Sequence, residues 1–576
     1  MGSGGGVVRA TYLDEKIVKA NRKSSVTRKA EMTSRAGNTR EAAITERSIS
    51  RKADPMRLEI FKNLFHSIAE EMGAALRRSA FSPNIKERRD YSCAVYDANG
   101  DVLAMGDHMP VHLGSMPAAV AAARAAMDLR PGDIAVLNDP FAGGTHLPDL
   151  TMVMPVFVGE GKRASFFVAN RAHHADIGGA LAGSMGPARE IFQEGLRIPP
   201  VKLFRGGELN RDVMAMILAN VRTPAEREGD LTAQIAACRI GERRLKEIAA
   251  KYSEREVQRY GKFLLEYSER MMKAALAELK PGMYAAEDFL DGDGVNKGPL
   301  RIRVRLKIGR GRAEVDFSGS AAQCAGNVNA VKAIAISAVY YVFRCLLKEE
   351  VPATSGLMRP IRVIAPAGTI VNAQMPAAVA GGNVETSQRM VDTLFLALAK
   401  AAPLRIPAAS QGTMNNLTLG GVGLRGEPFA YYETIAGGMG ARPGFKGISA
   451  THSHMTNSWN TPIEVFEQSY PVRVRSYSIR RNSGGKGKFR GGDGIVREIE
   501  LLTAMQVGIL SDRRLLGPYG LKGAAAGKRG KNALVRRGKV TELDGKCAFL
   551  ADEGDLVRIE TPGGGGWGKR KNRRKI

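Results

Sequence analysis

The sequence predicts an α+β protein, mixed and multi-domain, in which a β-hairpin near residue 150 carries a metal site and long helices pack beside it. Three observations lead there. Residues 231–280 repeat apolar side chains at helical spacing. From about residue 283 the pattern turns to alternation broken by Gly-rich turns. Between them in kind, residues 138–179 hold two β-rich runs flanked by two copies of His-x-x-Asp, His146–Asp149 and His173–Asp176.

Taken in order, residues 1–54 are rich in Arg, Ser, Thr and Gly without a sustained apolar period and read as a disordered basic tail. Asp54-Pro55 then reads as an N-cap with proline in the first turn, and Phe61, Leu64, Phe65, Ile68, Met72 and Leu76 follow at helical spacing. "YSCAVYD" and "DVLAMGD" flank the turn Ala98-Asn-Gly100 as short strands, an Ala-rich helix follows Pro117, and "DIAVLND" is a strand. Two long helices fill 231–280, broken near Ser253, which caps the second toward Glu256. This N-terminal α+β domain spans 55–282. A C-terminal α+β domain, 283–568, opens on the hairpin "RIRVRLKIGRGRAEVDFSG", continues through helices at about 328–348 and 386–401, and ends in short strands. Residues 569–576 form a second basic tail.

Composition narrows the function. Hydrophobic content of 44% with 25% charge is that of a globular protein. No apolar leader follows the start, and the apolar stretch 328–347 contains Lys332 and Arg344, so no membrane segment is expected. Five scattered cysteines with no Cys-x-x-Cys fit a reducing, cytoplasmic setting. The net charge of +27 raises nucleic acid as a partner, but residues 1–55 and 569–576 hold twelve of those charges. No nucleic-acid motif accompanies them, which argues against that partner.

The chain has eight histidines, and seven sit in Gly/Pro-flanked polar loops. If Val158 faces Arg163 across a four-residue turn, Asp149 lies opposite Ala172 and His146 opposite Ala175, so both His-x-x-Asp copies meet at the hairpin's open end. Two imidazoles with carboxylates suit a divalent metal, Zn or Mn, and such a set leaves a position open for water. The metal ligands expected from this geometry are His146, Asp149, His173 and Asp176. Hydrogen bonding within a loop is the alternative. His112 and His454, in two further histidine pairs, are candidate catalytic proton carriers. Gly143, Gly144, Gly381 and Gly382 are candidate substrate-binding positions, where backbone N–H groups would approach an anion. No Gly-x-x-x-x-Gly-Lys-Ser/Thr loop occurs.

The segments "VHLGSM", "NDPFAGGTHLPDL", "AHHADIGG", "EIFQEGLRIPPVKL", "GGNVETSQR", "GGMGARPG", "SHMTNSWNTPIEVFE", "RRNSGGKGKFRGGDG" and "TPGGGGWG" resemble the hydantoinase B/oxoprolinase family, in the family's order, from about residue 55 to 568. The resemblance implies the B-type subunit of an ATP-dependent amidohydrolase that opens a cyclic amide such as a hydantoin, 5-oxoproline or a lactam. It implies a hetero-oligomer with a hydantoinase A-type subunit, which binds ATP and Mg and phosphorylates the substrate. It also implies a divalent metal on His146, Asp149 and His173. The alternative within the resemblance is a subunit of an ATP-dependent, biotin-independent ketone carboxylase acting on acetone or acetophenone.

Removing residues 1–53 and 569–576 is expected to leave soluble yield and partner binding unchanged, because these segments offer little apolar surface to bury. Co-purification yield of the truncated chain checks this, and a large loss contradicts it.

Overall fold

The computed structural model describes residues 53–106 and 108–570. The tails expected at 1–54 and 569–576 lie almost wholly outside them. Residues 55–570 belong to one compact unit.

Helix α1 (Pro55–Ser79) buries Phe61, Phe65, Ile68, Met72 and Leu76, the stripe its spacing predicts. A seven-stranded sheet follows, in the order β2-β1-β5-β4-β3-β6-β7. Its strands are β1 (Tyr91–Asp97), β2 (Val102–Met105), β3 (Ile134–Leu137), β4 (Asp149–Val156), β5 (Phe166–His173), β6 (Val201–Arg205) and β7 (Glu208–Leu209). Every residue of β4 and β5 is buried, so the central pair is covered on both faces. Helix α2 (Met116–Ala126) packs against β3, β4 and β5. Helix α3 (Pro224–Tyr252) lies on β4 and β5 and against α1. Ser253 separates it from α4 (Glu254–Ala277), and its hydroxyl accepts from the Glu256 N–H, as the capping pattern predicts.

Three further sheets follow residue 282. One is β11-β10-β9-β8, from β8 (Gly282–Gly292), β9 (Lys297–Gly309), β10 (Arg312–Asp316) and β11 (Ile361–Ile364). The expected Gly-Arg-Gly turn joins β9 to β10, with Arg312 opposite Gly309. The second, β13-β12-β16-β19, is built from β12 (Asn416–Val422), β13 (Pro428–Thr434), β16 (Met505–Leu510) and β19 (Lys546–Ala551). The third has five strands in the order β14-β15-β20-β17-β18: β14 (Val472–Arg480), β15 (Gly494–Leu501), β17 (Lys531–Arg536), β18 (Lys539–Leu543) and β20 (Leu556–Glu560). Helices α5 (Lys332–Arg344) and α6 (Ser387–Ala401) are the two expected in this half.

The largest apolar cluster takes in α1, the seven-stranded sheet, α5, α6 and Leu510, and so crosses residue 282. That crossing positions the site. Buried Arg88, just before β1, donates to the Tyr432 carbonyl, the Thr434 hydroxyl and the Ser458 hydroxyl. Segments more than 340 residues downstream are thereby held against the end of β5 that carries His173. Among the described residues no helix is long and apolar enough to cross a membrane.

Candidate metal centre

The hairpin expected between the two His-x-x-Asp copies exists, with its register moved by one residue. Asp149 faces His173 itself and Leu150 faces Ala172. The strands stop pairing at Val156 and Phe166, earlier than a four-residue turn requires. The Ser165 N–H donates to the Val156 carbonyl and the Ser165 hydroxyl accepts from the Val158 N–H, which closes a wider loop.

This register brings three donors together. His146 Nε2 lies 3.1 Å from Asp149 Oδ1, and His173 Nδ1 lies 3.3 Å from the same oxygen. One ligand atom from each of the three residues falls within 4.8 Å of the others, and all three residues are buried. Donors bound to one ion at about 2.0–2.2 Å stand about 3.0–3.5 Å apart, so the donor set fits a divalent metal. The ring nitrogens on the far side from Asp149, His146 Nδ1 and His173 Nε2, are buried with no hydrogen-bond partner in the protein. The second Asp149 oxygen accepts from the Thr145 hydroxyl at 2.7 Å and lies 3.4 Å from His112 Nε2. His112 is fixed in turn by a 2.8 Å contact from Nδ1 to the Ser92 hydroxyl. Supporting contacts of this kind orient a ligand and set its basicity.

Charge agrees with geometry. Burial raises the Asp149 carboxyl, but His146, His112 and His173 outweigh it and hold it well below the usual carboxylate range. Burial lowers His112 and His173, so both are neutral imidazoles near pH 7, the form that offers a lone pair. Local chain geometry holds the loop still. The His173 N–H donates to the Asp90 carbonyl and the His174 N–H to the Pro148 carbonyl. Tyr432 stacks on His173 with ring centres 4.5 Å apart.

Other expected residues go elsewhere. Asp176 does not join the cluster: its carboxylate accepts from the Arg222 guanidinium and the Arg222 N–H, both at 2.8 Å. The second His-x-x-Asp copy thus contributes its histidine alone. The four glycines serve close packing. The Gly144 N–H is taken by the Asp139 carbonyl, and a Cβ there would stand 2.3 Å from the Asn138 oxygen. The Gly382 N–H is taken by the Asn327 and Val379 carbonyls, and its Cβ would stand 1.8 Å from the Asn329 oxygen. Cβ atoms at Gly143 and Gly381 would meet Ala122 and Asn327. These N–H groups at 144 and 382 are not free for a substrate anion. His454 lies outside the three-residue cluster, with Nδ1 3.3 Å from the Tyr341 hydroxyl and Nε2 3.5 Å from Asp392. Tyr341 lines a cavity of about 350 Å³ with Met109, Pro110 and Leu113, beside the segment that carries His112.

Sequence reasoning missed Thr145, Tyr432, Asn383 and Glu385. Asn383 and Glu385 sit on one π-helical turn, Gly382–Thr386. The Asn383 amide nitrogen is 3.1 Å from His146 Nε2. Glu385 accepts from the Met414 N–H and the Asn416 amide, and Asn416 accepts from the Tyr432 hydroxyl. Burial, with Asp512 nearby, pushes the Glu385 carboxyl up to about 7. The motif "GGNVETSQR" was the available signal for both.

A mixed histidine–carboxylate centre buried in an α+β fold defines a class of candidate metalloenzyme, and comparison with known proteins places the chain more closely. Residues 54–570 match the family model described as hydantoinase B/oxoprolinase. The chain belongs to that family. It is 40% identical to an uncharacterized protein of Methanocaldococcus jannaschii, over 89% of this chain and 91% of that one. It is 38% identical to the 5-oxoprolinase of Dictyostelium discoideum, over 91% of this chain but 41% of the relative, so it spans about two-fifths of that longer protein. The crystal structure of the ATP-dependent caprolactamase from Pseudomonas jessenii matches with a TM-score of 0.84 and 30% identity, covering 90% of this chain and 92% of that one. Acetone carboxylase shares the fold, with a TM-score of 0.84 at 20% identity over 90% of this chain and 76% of that one.

His146→Ala and His173→Ala are each expected to lose bound divalent metal. Thr145→Val should weaken binding about 10–100-fold through Asp149, and Asp176→Asn should retain it. Metal content per chain by elemental analysis decides, and full occupancy in both alanine variants contradicts the centre.

A pH effect follows from a neighbouring loop. Both ring nitrogens of His452 are buried without a hydrogen-bond partner, and burial with Arg88 nearby pushes the imidazole down to about 3. Above about pH 6.5 neither folded nor unfolded chain protonates this ring. As pH falls from there, the unfolded chain takes up a proton that the folded one refuses, so stability is lost progressively toward pH 3. His452→Leu should therefore flatten the fall in denaturant midpoint between pH 7 and 4.5; parallel profiles for variant and wild type would refute this.

Proposed function

We propose that this chain is the amide-opening subunit of an ATP-dependent cyclic amide hydrolase, acting on a hydantoin, 5-oxoproline or a lactam. The observation that carries the reading is the buried convergence of His146, Asp149 and His173 in a chain of this family. The names of its relatives support the substrate class, since one is a 5-oxoprolinase and another an ATP-dependent caprolactamase. An unstrained amide resists water. Phosphorylation of its oxygen by a hydantoinase A-type subunit that binds ATP and Mg turns that oxygen into a leaving group.

His146, Asp149 and His173 would hold a divalent ion, Zn or Mn, which when bound supplies a water of lowered pKa. The chain's own groups do the rest. Thr145 and His112 fix the Asp149 carboxylate so that one oxygen faces the imidazoles. His112, tied to Ser92 through Nδ1 and facing Asp149 through Nε2, orients that carboxylate from its far side. His454, between Asp392 and Tyr341, is placed to pass a proton toward the cavity that Tyr341 lines. The tight burial of the donors excludes bulk water, which strengthens each electrostatic contact.

The test is ADP release by this chain together with its A-type partner, on hydantoin, 5-oxoproline and caprolactam in turn, with and without bicarbonate. Ring opening coupled to ADP release, independent of bicarbonate, is expected, with no ATP turnover by this chain alone. Bicarbonate-dependent turnover of a ketone, and none of a cyclic amide, would overturn the reading.

A further inference from the structure

The three-donor set leaves one buried amide at the centre without a role. Asn383 is 4% exposed, and its amide nitrogen stands 3.1 Å from His146 Nε2. That spacing equals the 3.1 Å from Asp149 Oδ1 to the same nitrogen. Its own Oδ1 is buried with no hydrogen-bond partner.

In this orientation the amide donates to the His146 Nε2 lone pair. An ion at the centre takes that lone pair, and an N–H then points at a cation while a carbonyl oxygen stays unpaired in the interior. Both are costly. A half-turn about the Asn383 side chain turns the N–H away from the cation and gives the carbonyl oxygen a partner in the ion, without changing the side chain's shape, because the two ends of a carboxamide are nearly isosteric. Oδ1 then occupies the position beside His146 Nε2. We propose that Asn383 is a fourth protein ligand of the divalent centre, bound through Oδ1 alongside His146 Nε2, Asp149 Oδ1 and His173 Nδ1. This rests on the metal reading of the site.

The backbone supports the assignment independently. Asn383 sits on a π-helical turn, a rare widening that recurs at functional sites. Gly382 before it is pressed against the Asn329 carbonyl, where no side chain fits, and the Ser387 hydroxyl donates to the Asn383 carbonyl at 2.6 Å. The main chain is thus pinned on both sides of the residue, which fixes where the amide reaches. The resulting set is two imidazoles, one carboxylate and one neutral amide oxygen. The added oxygen shifts the preference toward harder ions such as Mn²⁺.

The experiment uses the full chain stripped of metal and titrated with Mn²⁺ and Co²⁺, following affinity and the Co²⁺ visible absorption. Asn383→Leu should weaken binding by more than about tenfold and change the Co²⁺ band. Asn383→Asp should bind at least as tightly as wild type, again with an altered band. Wild-type affinity and an unchanged band in both variants would overturn the proposal. If Asn383→Leu does not fold, Asn383→Asp, of equal size, decides through the band alone. Failure of the metal reading itself is distinguishable: wild type would then bind no ion, or His146→Ala would bind as wild type does, and this proposal falls with it.

Discussion

A carboxylate buried among imidazoles is the interaction on which this structure turns. Asp149 is charged and out of water, and removing a carboxylate from water is costly unless it is paired and hydrogen-bonded. Its oxygens are divided between two tasks. Oδ2 faces Thr145 and His112, whereas Oδ1 faces His146 and His173. The second face brings a nitrogen of each imidazole and one carboxylate oxygen within 4.8 Å of one another, a donor set that would suit a cation. Much of the surrounding architecture keeps that face in place.

The strand pair does most of the positioning. Asp149 is the first residue of β4 and His173 the last of β5, so cross-strand pairing alone sets them opposite each other. His146 arrives from the loop before β4. Because β4 and β5 are central and buried along their whole length, the pair has little freedom to slip. The far half of the chain then closes the site. Tyr432 stacks on His173, Arg88 binds the segments around Tyr432 and Ser458, and the π-helical turn brings Asn383 to His146. The three donors lie within residues 146–173, and the contact from Asn383 that closes over them spans 237 positions, across the core that crosses residue 282.

Much of this was legible in the sequence, for identifiable reasons. The helical stripe of α1, the cap at Ser253 and the turn between β9 and β10 depend on local chemistry, and each is where its residues predict. The convergence of His146, Asp149 and His173 was legible because a hairpin maps sequence distance onto space. The register was off by one because the loop closes through Ser165, a side-chain contact that no turn pattern announces. Asp176 was misassigned for a related reason. Symmetry of the two His-x-x-Asp copies suggested equal roles, but Arg222, 46 residues away, captures the second carboxylate. The glycines at 144 and 382 signalled close approach correctly, but the approaching groups are the chain's own carbonyls. Asn383, Glu385 and Tyr432 reach the site only through tertiary packing, which periodicity does not encode.

The most direct test of the metal centre is an anomalous difference map from crystals of the full chain grown with Mn²⁺ and measured at a wavelength where manganese scatters anomalously. The account predicts one strong peak within about 2.0–2.3 Å of His146 Nε2, Asp149 Oδ1 and His173 Nδ1. No peak at that point, with His146 and His173 both hydrogen-bonded to Asp149 in well-defined density, would contradict it.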